Sequence, residues 1–183
     1  MSNFSVYPYS RGHIHITGPG LDDVLDFTTG FLSDPEGIDI KKHVWAYKKQ
    51  REVLRRMTTF RGEVPSGHPA FPPDSKAVCG DADGPVTDDK EIEYSAEDDA
   101  LIEDFLLKNV ATTWHSIGTC KMAPRENMGV VDPSLSVYGV EGLKLADLSI
   151  PPRNVACNTN NVALTIGEKA ADIFIKELGL STE

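Results

Sequence analysis

His115 stands in the stretch Thr113-Trp114-His115-Ser116-Ile117-Gly118-Thr119-Cys120-Lys121-Met122, beside an aromatic and ahead of small and polar residues. A neutral imidazole takes a hydroxyl proton near neutral pH because its reference pKa is about 6.5. That suits a general base; a buried histidine held by packing is the other reading of the residue alone. Ser116 or Ser149 with His115 raises the idea of a Ser-His-Asp hydrolase. No G-x-S-x-G elbow is present to hold either serine. A zinc site from His115, Cys120 and Cys157 lacks a fourth ligand at usable spacing.

Two downstream positions add to this. Asp147 closes the run Leu143-Lys144-Leu145-Ala146-Asp147, which reads as a buried strand ending in an acid. Ligands of α/β folds bind outside the carboxyl ends of strands, where an acid accepts hydrogen bonds from sugar or ribityl hydroxyls. A turn aspartate is the alternative. Asn158 to Asn161 precede the last helix, whose free N–H groups and dipole favour negative charge. One of these asparagines reads as the helix N-cap.

The elements that must position these residues read as follows. Phe4 to Ile16 alternates as two short strands, interrupted at Ser10-Arg11-Gly12. His13 and His15 share a face of the second, as a metal pair would, but no carboxylate or cysteine follows closely. Thr17 to Asp39 is an ordered loop whose Leu21, Val24, Leu25, Phe27, Phe31 and Leu32 call for burial. Ile40 to Phe60 is a helix with Val44, Tyr47, Arg51, Leu54 and Met57 inward, and Trp45 and Val53 widening the stripe. Its other face carries Lys41, Lys42, Lys48, Lys49, Arg55 and Arg56, a solvated basic face balanced by acids elsewhere.

Gly62 to Thr87 holds five prolines and is irregular, a lid or a cover in form. Ser95 with Asp98 makes a capping box for a helix to about Asn109. Gly129 to Pro133 and Leu135 to Tyr138 read as short strands. Val162 to Leu178 reads as a helix with Val162, Ile166, Ala170, Ile173, Phe174 and Leu178 inward, stopped by Gly179.

Composition narrows the classes. The chain has 183 residues and a net charge of −10, which disfavours nucleic acid as a partner. Acids concentrate between Asp81 and Asp104 as a solvated face or loop. The three cysteines Cys79, Cys120 and Cys157 show no CxxC spacing and no disulfide framework. The first residues are too short and polar a run for a secretory signal, and no run nears the roughly 18 apolar residues of a membrane span. An intracellular protein, cytoplasmic or peroxisomal, is expected, although Leu180-Ser181-Thr182-Glu183 is not a peroxisomal address. No GxGxxG or phosphate-loop pattern occurs, and no repeat.

The order Trp114 to Met122, Val130-Val131-Asp132-Pro133, Val137-Tyr138-Gly139-Val140, then Leu143 to Ser149 resembles the C-terminal region of glucose-methanol-choline (GMC) oxidoreductases. Cys157-Asn158-Thr159 followed by Ala163-Leu164-Thr165-Ile166-Gly167-Glu168-Lys169-Ala170-Ala171 is more narrowly similar to the fungal alcohol oxidases. Tyr9 to Gly18 and Val44 to Lys49 extend the likeness, which spans about residues 4 to 180 and is weakest, as if shortened, from Gly62 to Asp89.

The resemblance implies an α+β fold: an antiparallel substrate-facing sheet with helices over residues 4–127, then the final strand and helix of the FAD-binding domain over 128–180. It implies oxidation of short primary alcohols, with hydride passing to FAD and oxygen reduced to peroxide. His115 and Asn158 would be the active-site pair, Trp114 would wall a small pocket, and Asp147, Leu148, Asn158 and Thr159 would face the cofactor. The family's GxGxxG unit has no counterpart in this sequence, so an N-terminal flavin-binding half, or a homo-oligomer, is the expected partner. The rival expectations are a dehydrogenase of the same family using another electron acceptor, and a non-catalytic fragment or interaction module.

Overall fold

The computed structural model describes residues 2–180. The final tripeptide Ser181-Thr182-Glu183, on which the reading of the C-terminal address rests, lies outside the described residues. The elements in order are β1 (His13–His15), β2 (Asp26–Thr28), α1 (Ile38–Arg55), α2 (Ala96–Asn109) and α3 (Thr159–Leu178), with 3₁₀ turns at Pro65–Gly67 and Arg125–Asn127. Strands β1 and β2 form a two-stranded antiparallel sheet, and the fold is α+β. The chain divides into two compact units, residues 1–12 with 28–111 and residues 13–27 with 112–183.

In the first unit α1 and α2 pack on each other. Tyr47, Phe71, Ala77 and Ile102 form the core, with Val44, Ile92, Tyr94, Leu101 and Leu106 against it. Helix α1 starts two residues before the expected Ile40 because Asp34 caps it from outside: its carboxylate accepts from the N–H groups of Ile38 (2.6 Å) and Asp39 (3.0 Å). It stops at Arg55 rather than Phe60, where Arg56, Met57 and Phe60 turn through i→i−3 bonds. Trp45 and Val53 do not widen its buried stripe; they are 63% and 55% exposed.

Its basic face is balanced by acids, as expected: Lys42 pairs with Asp39, Lys48 with Asp99, Lys49 with Glu91, and both Arg55 and Arg56 with Glu52. Helix α2 carries the expected capping box, Ser95 Oγ accepting from the Asp98 N–H and the Asp98 side chain accepting from the Ser95 N–H.

The strands expected over Phe4 to Ile16 reduce to β1, and part of the expected loop becomes β2. The apolar residues of that stretch are not buried: Leu21, Val24 and Phe27 are fully or largely exposed, and Leu25 and Phe31 also face out. A two-stranded ribbon has no inner face of its own against which to bury them. His13 and His15 are exposed and stacked at 5.2 Å, and Asp26 supplies a carboxylate 3.1 Å from His13.

In the second unit, the short strands expected after Gly129 pair only through single bridges. Met122 pairs in parallel with Val131, Val131 with Val137 and Ser136 with Lys144 in antiparallel fashion. Turns at Pro133 and Gly139 interrupt each run before a ladder can grow. The segments still stack side by side in the order 148–150, 118–122, 130–132, 135–138, 143–145.

Their apolar side chains meet one face of α3. Val131, Leu135, Ile150 and Ala170 are buried, with Ile166, Ile173 and Phe174 against them. Each fully buried aliphatic side chain here stabilises by about 1.5–3 kcal/mol. Leu178, expected on this inner side, is 71% exposed at the end of the helix. Gly179 ends α3 in the left-handed region at φ 63°, as expected of a glycine stop.

Candidate active site

The segment after His115 is fixed by hydrogen bonds to the segment after Asp147. The N–H groups of Gly118, Cys120 and Met122 donate to the carbonyls of Leu148 (3.1 Å), Ser149 (2.9 Å) and Ile150 (2.7 Å). Gly118 permits this pairing: its φ is +81°, and a Cβ there would lie 3.1 Å from the Pro151 carbonyl oxygen. The result is an open recess of about 470 Å³ lined by Ser116, Thr119, Ala146, Asp147, Leu148, Ser149 and, from α3, Ala163.

Asp147 and Leu148 thus stand at the recess as neighbours of the His115 segment. Asp147 is held in place: its carboxylate accepts from the Ser149 N–H at 2.7 Å. The Ser149 hydroxyl and N–H together hold its pKa below the usual carboxylate range, so it is an anionic acceptor at neutral pH.

His115 itself is half-buried one residue before the lining Ser116, and its ring has no hydrogen-bond partner among the described residues. Trp114 is 85% exposed and sits in the left-handed region at φ 57°, with its N–H donating to Thr112 Oγ1 at 2.8 Å. An aromatic residue seldom adopts that conformation, and such strain concentrates where a chain presents a functional group.

Asn158 is the N-cap of α3, its Oδ1 accepting from the Asn160 N–H at 3.0 Å. The expected helix start at Val162 moves back to Thr159, which is buried. Asn158 and Thr159 lie at the head of the helix whose second turn supplies Ala163 to the recess, and neither lines it. The recess therefore brings together Asp147 and Leu148, with His115, Trp114, Asn158 and Thr159 on adjoining segments of the same unit.

Sequence reasoning did not find Ser116, Thr119 and Ala163 as lining residues. Small residues at the helix start and the motif were the available signal, since small side chains are what leave space.

The family of the chain is defined by its similarity to known proteins. A family model described as GMC oxidoreductase, C-terminal part, matches residues 8–167. Alcohol oxidase of Pichia angusta is 42% identical over 226 aligned positions, covering 99% of this chain and 34% of that protein. Alcohol oxidase 1 of Komagataella phaffii is 40% identical, covering 100% of this chain and 34% of its own length. Among solved structures, pyridoxine 4-oxidase from Mesorbium loti superposes with a TM-score of 0.61 at 26% identity, covering 91% of this chain and 28% of the other. The chain belongs to the GMC oxidoreductases, whose members are FAD flavoproteins. It spans about a third of the length of the curated relatives it matches. The Pichia alignment is longer than this chain's 183 residues, so that relative carries extra residues inside the matched stretch.

Proposed function

We propose that the chain is the C-terminal region of an FAD-dependent alcohol oxidase acting on short primary alcohols. The single observation that carries this is the open recess between the His115 segment and the Asp147 segment, with Ala163 of α3 on its lining. Residues 4–127 serve the substrate side, and residues 128–180 complete the flavin domain with its final strand and helix.

The residues present fit the cofactor. Asp147 is a fixed anionic acceptor suited to ribityl or ribose hydroxyls. Leu148 offers apolar contact beside it. Asn158 and Thr159 open the helix whose N–H groups and dipole would face negative charge on a reduced ring. FAD, when bound, would supply the hydride acceptor, with oxygen as the final acceptor giving hydrogen peroxide.

The remaining work falls to this chain's own side chains. The His115 imidazole takes the alcohol hydroxyl proton, which leaves electron density on oxygen and weakens the carbinol C–H bond. Asn158 spends its Oδ1 on capping α3, which leaves its NH₂ group to donate to the substrate oxygen. Trp114 presents an exposed indole, which in the assembled enzyme would wall the substrate side and favour short alcohols.

Peroxide yield on the assembled enzyme tests the reaction class. One peroxide per alcohol oxidised is the expected result. Alcohol oxidised only with a quinone acceptor would make the protein a dehydrogenase, and no alcohol turnover at all would make it a non-catalytic module.

A further inference from the structure

Away from the recess, the first unit gathers three chemically distinct metal ligands that the proposed reaction does not use. Glu63, His68 and Cys79 each offer a ligand atom, and these atoms lie within 4.8 Å of one another. We propose that Glu63, His68 and Cys79 form a binding site for a thiophilic divalent cation of the Zn²⁺ class. A carboxylate oxygen, an imidazole nitrogen and a thiolate are a zinc-type donor set, and three protein ligands leave a fourth position for water.

The surroundings supply what such a set needs. Tyr47 Oη lies 2.7 Å from His68 Nδ1 and holds the ring as a partner behind a metal ligand does; with Nδ1–H donating to it, Nε2 is the nitrogen that keeps a lone pair for the cation. Glu63 and Cys79 both line an open recess of about 300 Å³, through which an ion and its water enter. Bonds of about 2.0–2.3 Å require ligand atoms roughly 3.5 Å apart, a contraction of about 1 Å that side-chain rotation supplies.

Arg51 is the opposing feature. It is 2% exposed, and its guanidinium donates to both Glu63 oxygens and to Cys79 Sγ at 3.4 Å. It does not depend on Glu63 alone, since Tyr47, Phe71 and Tyr94 surround it at 5.4–5.9 Å. Each Glu63 oxygen keeps a second lone pair for a metal. Binding exchanges the thiol proton, released to solvent, for the cation. The site then carries the thiolate, the carboxylate, the guanidinium and the dication, a net charge of +1, with Asp81 on the same recess to offset it. This selects a cation that bonds sulfur strongly over a hard one, so Mg²⁺ does not compete.

Cobalt(II) titration of the chelator-treated 183-residue chain tests the proposal. One Co²⁺ per chain is expected, with a thiolate-to-cobalt charge-transfer band that Zn²⁺ abolishes and excess Mg²⁺ leaves. The band is lost in Cys79→Ser and survives in the Cys120→Ser/Cys157→Ser double variant. Tyr47→Phe weakens binding by about 10-fold, as for other residues that orient a metal-bound histidine. Protection of Cys79 from alkylation by Zn²⁺ in the unmutated chain, mapped by peptide mass, gives the same reading should Cys79→Ser not fold. No band, a band that persists in a folded Cys79→Ser variant, or equal alkylation of Cys79 with and without Zn²⁺ overturns the proposal.

Discussion

At the scale of single residues, charge is held by enclosure more than by pairing at the surface. Asp39 is 2% exposed and accepts from the Tyr9 N–H, the Ser10 N–H and the Ser10 hydroxyl, with Lys42 beside it at 2.6 Å. Burial pushes its pKa up, but Lys42 and these donors outweigh that and hold the carboxyl well below its ordinary value of 3.8. A carboxyl depressed in the folded state stabilises fully above the unfolded value, and that contribution is lost as pH falls through 3.8 toward the folded value. Asp39→Asn is therefore expected to cost about 3 kcal/mol at pH 7 in urea denaturation. The difference from the unmutated chain should shrink as pH is lowered below about 4. An equal difference at pH 7 and pH 3 would contradict it. The contacts of Asp39 with Tyr9 and Ser10 were not legible in the sequence, because these partners lie about 30 positions upstream in a stretch read as strand and turn.

At the scale of elements, local signals were read well and pairing was not. The Ser95–Asp98 capping box and the Gly179 stop follow from residues within a turn of each other, and both are present. The segments that shape the recess depend on contacts between residues about 30 apart, such as Gly118 with Leu148. Alternation of side chains predicts strands there, but turns cut each run to a single bridge. The motif residues marked the place, while the small residues that create the space escaped notice because nothing in their periodicity sets them apart.

The pairing can be tested through Gly118, where a side chain faces both a positive φ and a carbonyl 3.1 Å away. Gly118→Ala is expected to lower stability by about 1–2 kcal/mol. In the assembled enzyme it should reduce turnover as well, since it disturbs the segment bearing His115. Unchanged stability and turnover would show that the pairing does not position the site.

At the scale of the whole molecule, the chain matches a third of the length of its alcohol oxidase relatives and carries no GxGxxG pattern. In the proposed reading Asp147 and Leu148 at the recess meet one part of a dinucleotide cofactor, and nothing in the sequence supplies the phosphate cradle. The purified 183-residue chain is accordingly expected to hold far less than one FAD per chain in its visible absorbance spectrum. Stoichiometric FAD would contradict this. The exposed apolar residues of the β1–β2 ribbon, Leu21 and Val24 among them, are surface that a larger assembly would cover.

The central claim is that His115 is the base of an alcohol oxidase site. Oxygen consumption with methanol and ethanol, by this chain co-expressed with an N-terminal flavin-binding half, tests it most directly when His115→Ala is measured alongside. The account predicts alcohol-dependent oxygen uptake that falls by about 10²–10⁴-fold in the variant while bound FAD per chain stays the same. Loss of FAD in step with activity, or uptake that the substitution leaves unchanged, would contradict it.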